Sequence, residues 1–227
     1  MNVPTPLDLE GLQQAWAALP AGARVSFEEQ WAGLRGGGLA CGSAIVDAQG
    51  QLMGRGRNHA YEAAGPLDTR TSRALQDTRI AHAELNALAQ VATDVDHKVL
   101  TLWSTQHPCA MCAAAVQFVG IGRVVYLADD LSDDSSAEEI AGSRGAVPYE
   151  AYGQPLWAAV STLLFLHNPA VRLGANARSI KQGLERCPKL ARLALDLAKA
   201  DTLGHAARSG AELPVALAPF LADLRGA

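Results

Sequence analysis

The sequence predicts an α/β protein: a three-layer α/β/α sandwich around a mixed sheet, with extra helices at both ends. Three observations carry that prediction. Residues 99 to 128 run strand, helix, strand with short connections, which is a parallel crossover unit. Residues 39 to 57 read as an antiparallel hairpin. Both flanks carry helical patterns. The 227 residues, 49% of them hydrophobic, suffice for one core and a helical appendage. The expected division is 1–37, N-terminal helices packed on the core; 38–150, the core itself; and 151–227, a helical extension placed to cap a pocket.

In chain order, residues 7 to 35 read as helix. Leu9, Leu12, Trp16 and Leu19 recur at three- and four-residue steps and make one apolar face. Pro20 and Gly22 interrupt it. Ser26 followed by Glu29 has the spacing of a capping box that opens a second helix, and Gly36-Gly37-Gly38 ends it. Leu39 to Val46 reads as a buried strand, Asp47 to Gly50 as a turn, and Gln51 to Arg57 as the returning strand. Residues 60 to 77, with Gly65-Pro66, read as a polar loop. Ala81 to Val91 is rich in Ala and Leu and reads as helix. Val99 to Ser104 is a strand. Cys109 to Val119 is a helix of small residues closed by Gly120 and Gly122, and Arg123 to Ala128 is a strand. Asp129, Asp130, Asp133, Asp134, Glu138 and Glu139 then read as a solvated acidic loop. From about Tyr149 onward the pattern is helical, over Leu156–Leu166, Leu190–Lys199 and Val215–Leu224.

Charge and apolar runs exclude several classes. A net charge of -4 gives no general attraction to nucleic acid or an anionic membrane. The first residues carry acids and no basic start, unlike a signal peptide. The most apolar run, Pro155 to Leu166, is too short to span a bilayer. The expected location is therefore cytoplasmic, where four cysteines are poor evidence for disulfides.

Two of those cysteines, Cys109 and Cys112, fall where a strand ends and a helix begins. Helix N-termini favour thiolate over thiol. Thiolate serves a redox pair or a metal equally, so position alone does not decide. His82 opens the preceding helix, 27 residues upstream. In alternating strands and helices, the starts of neighbouring helices lie at one sheet edge, so His82 meets the two thiolates. One imidazole and two thiolates suit zinc. A structural site closes with four ligands, and three leave a position for water. Glu84, two residues past the histidine, suits a proton shuttle.

"AHAELNAL" and "HPCAMCAAAV" together form the pattern H-x-E followed by P-C-x-x-C. Through these motifs residues 38 to 130 resemble the cytidine/deoxycytidylate deaminase superfamily. They are most similar to the branch holding guanine deaminases, related nucleobase deaminases and tRNA adenosine deaminases. The resemblance implies one zinc per chain, bound by His82, Cys109 and Cys112, with Glu84 as general acid/base. It implies that Pro108 shapes the turn into the helix, that Asn58 contacts the base and that the backbone near Ala83 helps to hold substrate. The implied reaction is hydrolytic release of ammonia from an amino-bearing ring carbon, and the implied assembly is a homodimer. Two departures border the expected pocket: His107 stands where the branch often has an acid, and Asp77 to Ala81 replace Asp-Pro-Thr-Ala.

Other residues receive plainer readings. Asn86 braces the site from the same helical face or lies on the surface. His59 and His107 are loop residues, Trp103 and Met111 pack, and Cys41 and Cys187 are structural. The expected function is deamination of a small nucleobase, nucleoside or related aminated heterocycle. The alternatives are tRNA adenosine deamination and a non-catalytic zinc or thiol module. Seven basic residues against two acids between Pro169 and Ala200 favour nucleic acid. The absence of Phe, Tyr and Trp from that stretch and the net charge argue against it. No nucleic-acid or membrane partner is expected.

Overall fold

The structure is a computed structural model that describes residues 8–62, 75–131 and 147–226. The Gly65-Pro66 turn and the acidic residues from Asp133 to Glu139 lie outside the described residues. Two helices come first, α1 (Leu9–Ala17) and α2 (Ala21–Arg35). The hairpin β1 (Gly42–Val46) and β2 (Leu52–Arg57) follows, then α3 (Ala83–Leu88), β3 (Thr101–Gln106), α4 (Ala110–Val119) and β4 (Arg123–Ala128). A short strand β5 (Tyr149–Ala151) precedes the helices α5 (Pro155–Leu173), α6 (Arg178–Arg186), α7 (Pro188–Ala198), α8 (Thr202–Arg208), α9 (Leu213–Leu217) and α10 (Leu221–Arg225).

The sheet order is β2-β1-β3-β4-β5. The β1 strand pairs antiparallel with β2 and β3, whereas β3–β4 and β4–β5 are parallel. The expected three-layer sandwich on a mixed sheet is therefore present, and α4 is the crossover between two parallel neighbours. In the turn, the Asp47 carboxylate accepts from the N–H groups of Gln49 and Gln51 at 2.9 and 2.8 Å.

Three local expectations are corrected. Ser26 does not open a helix: α2 begins five residues earlier, at Ala21. Ser26 is buried inside it and donates to the carbonyls of Gly22 (2.8 Å) and Trp103 (3.3 Å). Glu29 faces β2, 2.6 Å from Arg55, instead of reaching back to a cap. The helix expected over 81–91 is only six residues long. The segment after 149 begins with a strand rather than a helix, because three residues suffice to extend the sheet beside β4.

The two faces of the sheet are packed differently. On one, α3 and α4 cover Ile45, Leu102 and Val124 with Ala87, Val116 and Ile121. On the other, α2 and α5 bring Phe27, Leu34, Leu163 and Leu164 against Trp103 and Val125. Trp16, Phe27 and Trp157 meet there with ring centroids 5.4 to 5.9 Å apart. Each fully buried large side chain contributes about 1.5–3 kcal/mol. The same apolar cluster continues through Leu190, Leu203, Leu217 and Leu224 of the C-terminal helices. Trp103 is thus a core residue, as expected.

The path of α5 matters for the site. Ser161 Oγ donates to the Thr105 carbonyl at 2.5 Å, and the Asn168 amide donates to the Gly38 carbonyl at 2.6 Å. The helix therefore passes along the sheet edge where β3 ends and the lead into β1 begins. Among the described residues, no helix is long and apolar enough to cross a membrane.

Candidate metal centre

The carboxyl ends of β3 and β4 form one edge of the sheet, and α3 and α4 both begin there. His82 is the N-cap of α3, and Cys109 is the N-cap of α4. Both have extended backbone, and neither side chain bonds its own helix. Their donor atoms are left to meet each other. His82 Nδ1 lies 3.5 Å from both the Cys109 and the Cys112 Sγ, and the two sulfurs are 3.7 Å apart. Among the described residues these three form a group able to hold a metal ion. With zinc–sulfur bonds near 2.3 Å and zinc–nitrogen bonds near 2.0–2.1 Å, a tetrahedral site needs edges of about 3.8 Å (S···S) and 3.6 Å (S···N). The three donors fit.

Electrostatics point the same way. Contact with Cys112, aided by His82, pulls the Cys109 thiol down to about 4 against its burial. Contact with Cys109, burial and the nearby Glu84 push Cys112 up. Contact with Cys109 and the charge of Glu84 raise His82. A thiolate, a second thiol and a carboxylate crowded together call for a cation.

Glu84 is buried at 5% exposure. Its Oε1 accepts a hydrogen bond from Ser104 Oγ at 2.7 Å, and its Oε2 lies 3.3 Å from Cys112 Sγ. The carboxylate is thus held at one oxygen and turned towards the cluster at the other. The helix that carries it lies close to β2 because Gly54 and Gly56 face it. A Cβ at position 56 would stand 2.5 Å from the Ala83 carbonyl oxygen and 2.7 Å from the Ala87 nitrogen.

The remaining predicted residues border the cluster. Asn58, 3% exposed, lies two positions after Gly56 and so on the α3 side of β2. Its N–H donates to the Cys41 carbonyl at 3.0 Å, and its Oδ1 accepts from the Ala60 N–H at 2.9 Å, a turn role. Ala83 and Pro108 are buried beside the two ligand helices. Asn86 is the brace, not a surface residue: it is 1% exposed and donates to the carbonyls of Arg57 (3.1 Å) and Leu75 (3.2 Å). His107 packs on Tyr126 and Tyr149 at ring distances of 4.7 and 5.3 Å. His59 lies 2.8 Å from Glu62, which also receives two hydrogen bonds from Arg57, each 3.0 Å.

Three residues were missed by sequence reasoning. Ser104 holds Glu84, and its register partner on β1 is Ser43. Cys41, two positions before Ser43, packs partly buried against the apolar cluster, as expected, and also lies within electrostatic reach of Glu84 and Cys109. Burial pushes it up, as do the charges of Glu84, Asp130 and Cys109. Asp130 belongs to the same surroundings and also acts on His82. Period-two alternation in β1 and β3 was the available signal, and it needed the register to be read.

Comparison with known proteins agrees with this arrangement. The family described as "Cytidine and deoxycytidylate deaminase zinc-binding region" matches residues 23–128. A tRNA(Ile)-lysidine synthase of Deinococcus radiodurans is 34% identical over 109 residues, 47% of this chain and 15% of that protein. A cytosine deaminase of Candida albicans is 26% identical over 106 residues, 46% of this chain and 62% of that protein. The chain thus spans less than two thirds of either relative. Among solved structures, a guanine deaminase from Nitrosomonas europaea superposes with a TM-score of 0.50 at 18% identity, covering 66% of this chain and 85% of that one. A tRNA:A34 deaminase has a TM-score of 0.45 at 21% identity, covering 56% and 93%. These structural likenesses are likenesses of fold. The matched residues, 23–128, carry the cluster and Glu84.

Proposed function

We propose that this protein is a zinc-dependent hydrolytic deaminase of a small nucleobase, nucleoside or related aminated heterocycle. The observation that carries the reading is Glu84: a buried carboxylate, tied down at one oxygen, beside a three-donor cluster with nothing to close it as a fourth ligand among the described residues. A site built only to stabilise a fold has no use for that arrangement.

His82, Cys109 and Cys112 would hold the ion. Zinc bound there supplies Lewis acidity that makes water a nucleophile near neutral pH. Glu84 takes a proton from the attacking water at the carboxylate oxygen that faces the cluster. It passes that proton to the ring nitrogen next to the amino-bearing carbon, then takes the second proton from the hydroxyl now on carbon and gives it to the departing amine. The water oxygen ends on carbon, the carbon–nitrogen bond breaks and ammonia leaves. Ser104 keeps the carboxylate from rotating away between the two transfers. Asn58 offers its amide to the ring edge from the end of β2. The N–H groups that open α3, beginning at Ala83, are unpaired within the helix and can meet a ring oxygen or nitrogen. Pro108 fixes the turn that delivers Cys109.

The test is ammonia release from zinc-loaded protein, over a panel of free bases, nucleosides, aminated triazines and a tRNA transcript. Release from a small ring, abolished by Glu84→Gln with zinc still bound, is the expected result. General acid–base catalysis predicts a loss of about 10²–10⁴-fold in that variant. Release from the transcript alone would move the activity to tRNA editing. A zinc-loaded protein inert towards the whole panel would favour the non-catalytic module.

A further inference from the structure

A second cavity, of about 430 Å³, opens where the lead into β1 meets the end of α5 and the start of α6. None of its lining residues belongs to the metal centre. Its volume is that of a small-molecule site. Leu39, Phe165 and Pro169 give it apolar walls, and among the described residues no Asp or Glu lines it.

Its charged side chains, Arg172 and Arg178, are both cationic. Arg172 stands at the rim with its guanidinium 5.4 Å from the centre of the Tyr61 ring, and it forms no ion pair among the described residues. Arg178 and Ser179 open α6, a nine-residue helix whose N-cap, Ala177, provides no side-chain cap. The first N–H groups of that helix are directed out of its end, where anions are favoured. Ser179 is only 8% exposed. Among the described residues its hydroxyl has no hydrogen-bond partner, and the residue lines the cavity. The hydroxyl is open to the cavity and free to donate to a group bound there.

The wall opposite carries a cost. Pro169 sits inside α5. It has no N–H, so the Phe165 carbonyl loses its helical donor. Both residues face the cavity.

We propose that this cavity binds a small organic oxyanion, a phosphate or carboxylate carried on a compact apolar body. The oxyanion meets Ser179, the start of α6 and the arginines. The body lies between Leu39, Phe165 and Pro169. Gly38 and Leu39 lead directly to Cys41, whose carbonyl holds the Asn58 N–H at 3.0 Å.

Isothermal titration of the full chain with phenyl phosphate, benzoate, benzyl alcohol and inorganic phosphate tests this without reference to catalysis. Saturable one-to-one binding of phenyl phosphate or benzoate is expected, and the tighter of the two identifies the head group. Benzyl alcohol and inorganic phosphate, each lacking half of the ligand, should bind about tenfold more weakly or worse. Arg172→Ala and Ser179→Ala should each weaken the anionic probe about tenfold, and Arg172→Lys should restore part of the loss. Arg172 is exposed, so its removal leaves the core intact. The proposal fails if neither anionic probe saturates, or if benzyl alcohol binds as tightly. It fails if both alanine variants bind as the parent does. It also fails if a short oligonucleotide binds far more tightly than either probe through Arg172, which would make this a nucleic-acid surface.

Discussion

Two histidines are held by chemically opposite surroundings. His82 sits at the start of a six-residue helix, with Nδ1 facing two sulfurs and a carboxylate nearby. His167 lies in the middle of α5, fully buried. Its Nε2 is 3.0 Å from Asp201 Oδ1 and 3.2 Å from the Gly204 nitrogen. Asp201 is in turn 2.5 Å from Arg208. Around His82 the neighbouring groups are donors to a cation. Around His167 the charge of Asp201 is answered by Arg208, Nδ1 has no partner among the described residues, and burial lowers the basicity of the imidazole. What a buried imidazole does is decided by whether its partners are left with unmet charge. The first histidine gathers a ligand; the second ties α5 to α8.

The largest effect that would break this contrast is loss of metal. His82→Ala should reduce bound zinc from one per chain to none by elemental analysis, whereas His167→Leu should leave zinc at full occupancy. Equal loss in both would erase the distinction. Next in size, His167→Leu removes the imidazole nitrogen beside Gly204 and one of the two side-chain partners of Asp201. It should cost about 1–3 kcal/mol in urea unfolding. Smaller still, Ser104→Ala frees one oxygen of Glu84. Ammonia release should fall about tenfold, as expected for one hydrogen bond to a charged group, with zinc content unchanged.

The smallest effect concerns Glu62, which the arginine and imidazole beside it hold at about 2 despite burial. Its folded value lies below its unfolded one. The stability it contributes is therefore present above the ordinary carboxylate range and is lost as pH falls from about 4.5 towards 2. Glu62→Gln should flatten the acid limb of stability over that window. An unchanged limb would show that this ion pair is already broken in solution.

Much of the centre was legible because its spacings are local. Cys109 and Cys112 share the start of one helix, His82 and Glu84 share the start of another, and the strand–helix alternation brings the two starts to one edge. The pairing of Ser104 with Glu84 was not legible, because it depends on which residues of β1 and β3 stand side by side. Ser26 and Glu29 misled for a related reason. Their spacing suits a cap, but it also suits two positions on the buried face of a continuous helix, and only the packing of α2 on the sheet separates the two. The short strand β5 escaped because three residues carry too little alternation to read. The cavity beside Arg172 joins residues more than a hundred positions apart, and nothing in either segment marks it.

The glycine at position 56 has no functional group, yet it sets a clearance. A single methyl there would press on the backbone of α3 and lift the helix away from the sheet, carrying the imidazole off the sulfurs and the carboxylate off its serine. In a survey of tolerated substitutions, this unreactive position in β2 would rank among the ligands themselves. Inactivating changes in this protein need not touch a single atom that takes part in chemistry.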